Sequence, residues 1–350
     1  DLRFAPASGV DAWLQTVVER GERVLLDPGQ TPWRFWNKVP EPQRVAAESP
    51  LIYLKGSKNE RECEGMRRAH VLEGISLVRF LSWLDETLEK GDYPTEWSLV
   101  EKMEEIRGRQ PEYLGPSFGT IAAVGPHAAL PHHQPSETDE TPLSPDTVLL
   151  LDTGGQYLSG TTDATRTVAL GEDCGGEHRR LATLVLKAHL SLAMSRFPDQ
   201  TPGIRLDALA RLPLWREGLD FPHGTGHGLG AALCVHESPP SISFYGPCQR
   251  ALGDGMIASI EPALYFPGSW GCRLENVVLT RPAEQSGWLC FETLTLCPFD
   301  RRMLEPSLLN DEERDWVDAY HRRVYEELSV HLNPGEKAWL KQACRPLAGG

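Results

Sequence analysis

Apolar residues recur at helical spacing in several stretches of the chain and form short strand-like runs in others. Residues 10–20 have a helical pattern, 23–26 read as a short strand, a proline-containing turn follows, and 51–54 read as another strand. Ser57-Lys-Asn-Glu60 has the form of a capping box, the serine taking a free backbone N–H and the glutamate reaching back. It predicts a long helix, with Leu77, Phe80, Leu81 and Leu84 at the i, i+3, i+4, i+7 positions of an apolar face. Ser98-Leu-Val-Glu101 repeats the cap signal and predicts a second helix carrying Leu99, Met103 and Ile106. Further helices are expected from about Glu177, with Leu181, Leu184, Val185, Ala188 and Leu192 on one face, and over 205–217. Asn310-Asp-Glu-Glu313 caps a C-terminal helix whose stripe is Trp316, Val317, Tyr320 and Val324.

Residues 147–170 carry the clearest strand signal. An apolar run ending at Asp152 is broken by Gly154-Gly155 and followed by a Thr/Val-rich return through Asp163, which predicts neighbouring strands of one sheet. Side by side, such strands let Asp152 and Asp163 point to the same face. Residues 256–296 are again mostly strand-like. Interspersed strands and helices give an α/β or α+β class with a mostly antiparallel sheet, and no internal repeat is visible.

Composition narrows the function without choosing it. The 350 residues suffice for one large domain or two ordinary ones, while residues 1–54 are too few for a core of their own. A formal net charge of −14 argues against a nucleic-acid partner and suits cations and peptide N-termini. No apolar run approaches the roughly 18–20 residues of a membrane span, and the first residues given do not read as a secretory signal. A chain starting at Asp1 is expected to be a processed product or a piece of something longer. The eight cysteines include no Cys-x-x-Cys pair, so a reduced cytosolic thiol population is the simplest account.

Asp152 and Asp163 at strand ends would ordinarily be surface acids, but apolar strands bury their faces, and buried carboxylates need a counter-charge. Phe221-Pro-His223-Gly-Thr-Gly-His227-Gly-Leu-Gly230 is too glycine-rich for a helix and reads as a turn that brings backbone close to a ligand. It lacks the P-loop and Rossmann spacings. His236-Glu237 is not the HExxH zinc motif. Glu261 ends a buried-looking strand. Glu275 reads as lying inside one, with Arg273 two positions away on the same face, where an Arg–Glu ion pair is the plain reading. Asp152, Asp163, His227, Glu261 and Glu275 make an oxygen-rich set that favours Mn²⁺, with Co²⁺, Fe²⁺ or Zn²⁺ as alternatives. Four carboxylates exceed a single compact site and suit two ions about 3.5 Å apart with bridging groups.

These residues and their surroundings resemble the aminopeptidase P (Xaa-Pro aminopeptidase) family of pita-bread-fold metallopeptidases, in its longer cytosolic multi-domain type. The resemblance runs from about residue 54 to 332 through Lys58-Asn-Glu-Arg-Glu-Cys-Glu-Gly-Met, Gly160-Thr-Thr-Asp163-Ala-Thr-Arg-Thr, His223-Gly-Thr-Gly-His227-Gly-Leu-Gly, Val-His236-Glu, Arg273-Leu-Glu275-Asn-Val-Val and Thr-Leu-Cys-Pro-Phe-Asp-Arg-Arg. It implies an α+β pita-bread fold, a curved and mostly antiparallel sheet flanked by helices. The expected organisation is 1–54 as the tail of a non-catalytic middle domain, 55–300 as the catalytic domain and 301–350 as a C-terminal helical extension. By resemblance, Asp152 binds one ion and His227 with Glu261 the other, while Asp163 and Glu275 bridge. Glu261 relays the proton from the bridging hydroxide's parent water to the leaving nitrogen. His132, His223 and His236 hold the scissile carbonyl and shape a proline pocket, and Arg273 orients the bridging carboxylates.

The implied reaction is hydrolysis of the N-terminal Xaa-Pro bond of peptides. That bond is a tertiary amide without an N–H, so a preformed ring pocket supplies the discrimination. Two other readings remain open at this point: an Xaa-Pro dipeptidase with the same ligands, and a pita-bread binding module without catalysis. The resemblance also implies a cytoplasmic homodimer, while charge and hydropathy predict no nucleic-acid or membrane partner.

Overall fold

In a computed structural model of the chain the described residues are 4–138, 141–145, 147–172, 174–245 and 249–347. They divide into two compact units, Asp1–Lys55 and Gly56–Gly350. In the first, strand Val24–Leu26 pairs in parallel with Arg44–Ala46, and Leu14, Leu26 and Val39 form a small cluster. Leu51–Gly56 is a helix and not the expected strand. The preceding Ser49-Pro50 explains it. The Ser49 hydroxyl accepts from the Leu51 N–H at 3.3 Å, and proline in a first turn gives up an N–H that has no helical acceptor.

The second unit opens with the 30-residue helix Glu60–Glu89. Its capping box is Asn59 with Glu62, two residues beyond the expected pair: Asn59 Oδ1 accepts from the Glu62 N–H at 3.0 Å and Glu62 Oε2 from the Asn59 N–H at 2.9 Å. Ser57 lies two residues further out, where its backbone is held in an antiparallel bridge to Met256. The next helix, Glu96–Arg107, likewise starts ahead of Ser98. Thr95 caps it, its hydroxyl accepting from the Ser98 N–H at 3.2 Å, and Ser98 lies in the first turn. The predicted faces meet: Leu77, Phe80, Leu81 and Leu84 pack with Leu99, Met103 and Ile106 in one buried cluster. Each such side chain contributes roughly 1.5–3 kcal/mol of burial.

Every strand pair in this unit is antiparallel. A three-stranded sheet places Val148–Thr153 between Ile121–Val124 and Ala164–Ala169. A four-stranded sheet runs in the order Ile257–Ile260, Asn276–Pro282, Trp288–Thr293, Arg196–Pro198. Helix Gly176–Ala193 buries Leu181, Leu184, Val185, Ala188 and Leu192 as its periodicity predicts.

Helix Asp311–Leu328 is capped by Asn310 and Glu313, and its stripe of Val317, Tyr320 and Val324 is buried in the same core as Leu181 and Val185. Residues 301–350 thus fall inside the compact second unit. Buried Arg166 ties that helix to the sheets. Its Nη2 donates to the Tyr320 hydroxyl at 3.1 Å and to Asn276 Oδ1 at 2.7 Å, and its Nη1 donates to the Glu275 carbonyl at 2.6 Å. No disulfide links the seven described cysteines; Cys248 lies outside the described residues.

Candidate metal centre

Strand ends deliver the acidic residues. Asp152 lies near the end of Val148–Thr153, opposite Ile121 on one side and Thr165 on the other. Asp163 stands one residue before Ala164–Ala169, at the edge of the second strand and not within it. Gly154 lets this hairpin close, because a Cβ there would overlap the Thr162 carbonyl. Glu261 follows directly on strand Ile257–Ile260. Glu275 occupies the break between Trp270–Arg273 and Asn276–Pro282, so it lies outside any strand; its N–H donates to the Thr165 carbonyl at 3.0 Å.

His227 comes from the glycine-rich segment through the two-residue strand Gly226–His227, paired with Ser241–Ile242. Gly226 packs so closely on the Ser259 carbonyl that no Cβ fits. The His227 N–H donates to Ser259 Oγ at 2.9 Å, and the Ser259 hydroxyl donates to Glu261 Oε1 at 2.9 Å. One serine therefore sets the spacing of imidazole and carboxylate. His227 Nε2 lies 3.5 Å from Asp163 Oδ2 and 3.4 Å from Glu261 Oε1. Ligand atoms of Asp163, His227 and Glu275 all fall within 4.8 Å of one another.

Arg273 does not pair with Glu275. Its Nη2 reaches Asp152 Oδ2 at 2.5 Å, its Nη1 the Tyr265 hydroxyl at 2.7 Å and its Nε Thr165 Oγ1 at 3.2 Å. The Thr165 hydroxyl in turn donates to Glu275 Oε2 at 2.7 Å. The same-face rule fails here because the strand ends at Arg273 and the alternation stops with it. Guanidinium and glutamate communicate through a threonine.

Crowded acids perturb one another. Burial, then the charges of Asp152 and Glu261, push the Asp163 carboxyl up to about 7 against the opposing His227 contact. Burial, followed by Asp163, Glu261 and Asp152, raises Glu275 well above the usual range. Burial works against a charged His227, but the Asp163 contact and the Glu261 charge outweigh it and raise the imidazole to about 9. All three shifts mark excess negative charge in a low-dielectric site.

Asp152 Oδ1, Asp163 Oδ1 and Glu275 Oε1 are buried without a hydrogen-bond partner. In Asp152 and Glu275 the other oxygen is anchored, by Arg273 and Thr165 respectively. A ligand with one oxygen fixed and the other bare suits a metal ion, so these residues fit divalent cations. A cavity of about 460 Å³ collects all nine predicted residues: Asp152, Asp163, His227, Glu261, Glu275, Arg273, His132, His223 and His236.

Sequence reasoning missed Thr165, Ser259 and Tyr265. Ser259 had a signal, a hydroxyl two positions from Glu261, which it holds; Thr165 stands two positions from Asp163 but holds the distant Glu275. Tyr265 had none. Its hydroxyl lies 3.0 Å from His223 Nε2, and His223 Nδ1 lies 2.8 Å from the Gly224 carbonyl. An N–H at Nδ1 donating to Gly224 leaves Nε2 to accept from Tyr265, so His223 is neutral, and burial holds its pKa low. A separate cavity of about 390 Å³, lined by Leu81, Trp339 and Arg301 among others, holds none of this set.

A pita-bread domain carrying an oxygen-rich cluster in one cavity is the architecture of a metallopeptidase class, and the chain belongs to metallopeptidase family M24, whose model matches residues 64–282. The model of the C-terminal region of that family matches residues 287–347. Among its relatives, a probable Xaa-Pro aminopeptidase P of Paracoccidioides brasiliensis is 40% identical over 321 residues, 89% of this chain and 51% of the relative. Aminopeptidase P1 of Lotus japonicus is 37% identical over 352 residues, 93% of this chain and 53% of its own length.

Among solved structures, the Caenorhabditis elegans X-prolyl aminopeptidase, described as a cytosolic enzyme with a di-nuclear active site, superposes with a TM-score of 0.92 at 38% identity. The match covers 97% of this chain and 57% of that one. An Xaa-Pro dipeptidase of Bacillus anthracis, at 24% identity and a TM-score of 0.69, shares the fold. The chain spans about half the length of the curated relatives it matches.

Proposed function

We propose that this chain carries the catalytic part of a metal-dependent aminopeptidase that hydrolyses the N-terminal Xaa-Pro bond of peptides. The observation that carries the reading is the single cavity in which four carboxylates and His227 converge beside His132, His223 and His236. The relatives of about twice the length support the substrate class. Residues 1–54 read as the tail of a non-catalytic domain of such a longer protein, 55–300 as the catalytic domain and 301–350 as its extension.

Asp152, Asp163, His227, Glu261 and Glu275 would hold two divalent cations, Mn²⁺ first among the candidates because the donors are mostly oxygens. When bound, such ions supply Lewis acidity for a peptide carbonyl and acidify water at neutral pH. Glu261, steadied by Ser259 at 2.9 Å, takes a proton from the attacking water and returns it to the leaving proline nitrogen. His223 has both ring nitrogens engaged, by Gly224 and Tyr265, and so acts as a wall of the ring pocket. Contact with the scissile carbonyl then falls to His132 and His236, which line the same cavity. Arg273 holds Asp152 directly and Glu275 through Thr165.

The test is release of the first residue from Arg-Pro-Pro and from Gly-Pro by Mn²⁺-loaded protein, alone and within the full-length chain. Cleavage of the tripeptide supports the reading. Cleavage of the dipeptide only would make it a dipeptidase, and a metal-loaded full-length protein inert to both would leave a binding module. No helix among the described residues is long and apolar enough to cross a membrane. A cytoplasmic home follows the description of the C. elegans relative. The proposed homodimer, checked by sedimentation, cannot use the Val317–Val324 stripe, which is buried within the chain.

A further inference from the structure

A second convergence of ligand atoms lies away from the candidate centre, at the start of helix Glu96–Arg107. Glu96, His127 and His133 present one atom each within 4.8 Å of one another. His133 Nε2 is 2.8 Å from Glu96 Oε2, and His127 Nδ1 is 3.0 Å from the same oxygen. The two imidazoles stack with centroids 4.3 Å apart, so their rings approach the carboxylate side by side. Three separate pieces of chain build the cluster: a helix start, the turn Gly125–Ala129 and the segment after it. Backbone bonds from Leu130 N–H to the His127 carbonyl (2.9 Å) and from His133 N–H to the Leu130 carbonyl (3.1 Å) set the histidine spacing.

Charge makes the cluster notable. The Glu96 side chain is 0% exposed, and among the described residues its ion-pair partners are the two histidines. Its other oxygen accepts the Val124 N–H at 2.7 Å, which fixes the carboxylate; His127 Nδ1 lies 3.1 Å from that oxygen too, and His133 meets Oε2. A buried carboxylate is costly without a positive partner, and an imidazole provides one only when protonated. Two imidazoles and one carboxylate with a solvent-reachable side form a ligand set that zinc uses with a fourth, open position. His133 is 10% exposed and His127 32%, so the open side is His127's. Tetrahedral zinc with bonds of about 2.0–2.1 Å separates its ligands by about 3.3 Å, so the present 2.8–3.0 Å spacings between each ring nitrogen and Oε2 need only a few tenths of an ångström of expansion, and the two nitrogens lie within 4.8 Å of each other.

We propose that Glu96, His127 and His133 form a separate binding site for a borderline divalent cation of the Zn²⁺ type. His133 directly follows His132, which lines the candidate centre's cavity together with Pro131 and Gln134. An ion on the far side of this segment would clamp it to the helix start and to strand Ile121–Val124, and so fix where His132 stands. That consequence rests on the proposed role of His132; the binding itself does not.

The experiment counts zinc per chain after equilibration at fixed micromolar free Zn²⁺, by elemental analysis, with zinc-dependent melting temperature alongside. Wild type should hold one zinc more than His127→Ala, and also one more than His133→Phe. His127 is partly exposed, so the first variant keeps the fold if the second does not. His227→Ala, which damages the candidate centre, should keep this zinc and its rise in melting temperature. Equal zinc counts in wild type and folded His127→Ala would overturn the site and leave a hydrogen-bonded Glu–His–His network. Failure of the candidate centre would appear differently, as no loss of metal in His227→Ala.

Discussion

Thr165 offers the sharpest test of how the centre is held. Its hydroxyl donates to Glu275 Oε2 at 2.7 Å and accepts from Arg273 Nε at 3.2 Å. Thr165→Val removes both bonds and nearly nothing else, since the shape is kept and the strand pairing of Thr165 with Asp152 is made by backbone. A hydrogen bond to a charged group is worth about 1.5–3 kcal/mol, and 1.4 kcal/mol is tenfold in an equilibrium constant. If the bond serves to aim the bare Glu275 Oε1 at a cation, metal affinity falls by about 10–100-fold, the range seen when a group behind a ligand is lost. If it serves only folding, affinity stays and the metal-free protein loses about the same energy in a urea titration. The assay is Mn²⁺ competition against a chelating dye, paired with urea unfolding of the metal-free protein. Affinity within twofold of wild type would refute the aiming role.

Gly226→Ala should push the His227 strand off the Ser259 carbonyl, where no Cβ fits, and cost at least tenfold in metal affinity by the same dye assay; unchanged affinity would show that the backbone yields. Glu73→Ala strands the fully buried Arg107, which donates to Glu73 from Nε at 3.0–3.1 Å and from Nη2 at 2.5 Å, and should cost about 3–5 kcal/mol in urea unfolding. The double change Glu73→Leu with Arg107→Met should recover most of that loss, and a single-variant loss below about 1 kcal/mol would contradict the pairing. His321 is held neutral by burial, its pKa lowered to about 3, while its Nε2 accepts the Phe299 N–H at 3.1 Å. Below its unfolded value near 6.5 only the unfolded chain takes up the proton, so stability falls with pH from there towards 3, by roughly 2 kcal/mol at pH 5. The stability gap between wild type and His321→Gln should therefore narrow by about that amount between pH 7 and 5, and a constant gap would refute it.

The sequence made the site more legible than its scaffolding. Carboxylates at the ends of apolar runs and a histidine among glycines are chemically conspicuous, and all of them reached one cavity. The helix faces were also readable, because 3.6-residue periodicity survives any error in the end points. What failed was local competition between signals. Ser57 and Ser98 each stand two or three residues from a rival cap, Asn59 or Thr95, and long-range contacts such as the Ser57–Met256 bridge chose between them. Residues 51–54 misled because four residues carry too little period to tell a strand from a helical turn, and the Ser49-Pro50 start signal was the better guide. Arg273 and Glu275 misled because strand alternation was carried past the strand's end. Glu96 lacked any local mark: its histidines lie 31 and 37 residues away, and only folding brings them to it.

Proton and metal occupancy are two answers to one imbalance. Asp152, Asp163, Glu261 and Glu275 surround a cavity also lined by Arg273, a permanent cation that contacts Asp152. Without a metal, the excess negative charge must be met by protons, which is why Asp163 and Glu275 hold theirs more tightly and His227 is raised to about 9. The hydroxyls of Thr165 and Ser259 fix two of these acids without adding charge, so they orient the carboxylates and leave the imbalance intact. A lysine in either place would have neutralised the site and spoiled it for a divalent ion. The neutral supports beside the ligands are therefore as much a part of the centre's cation preference as the ligands themselves.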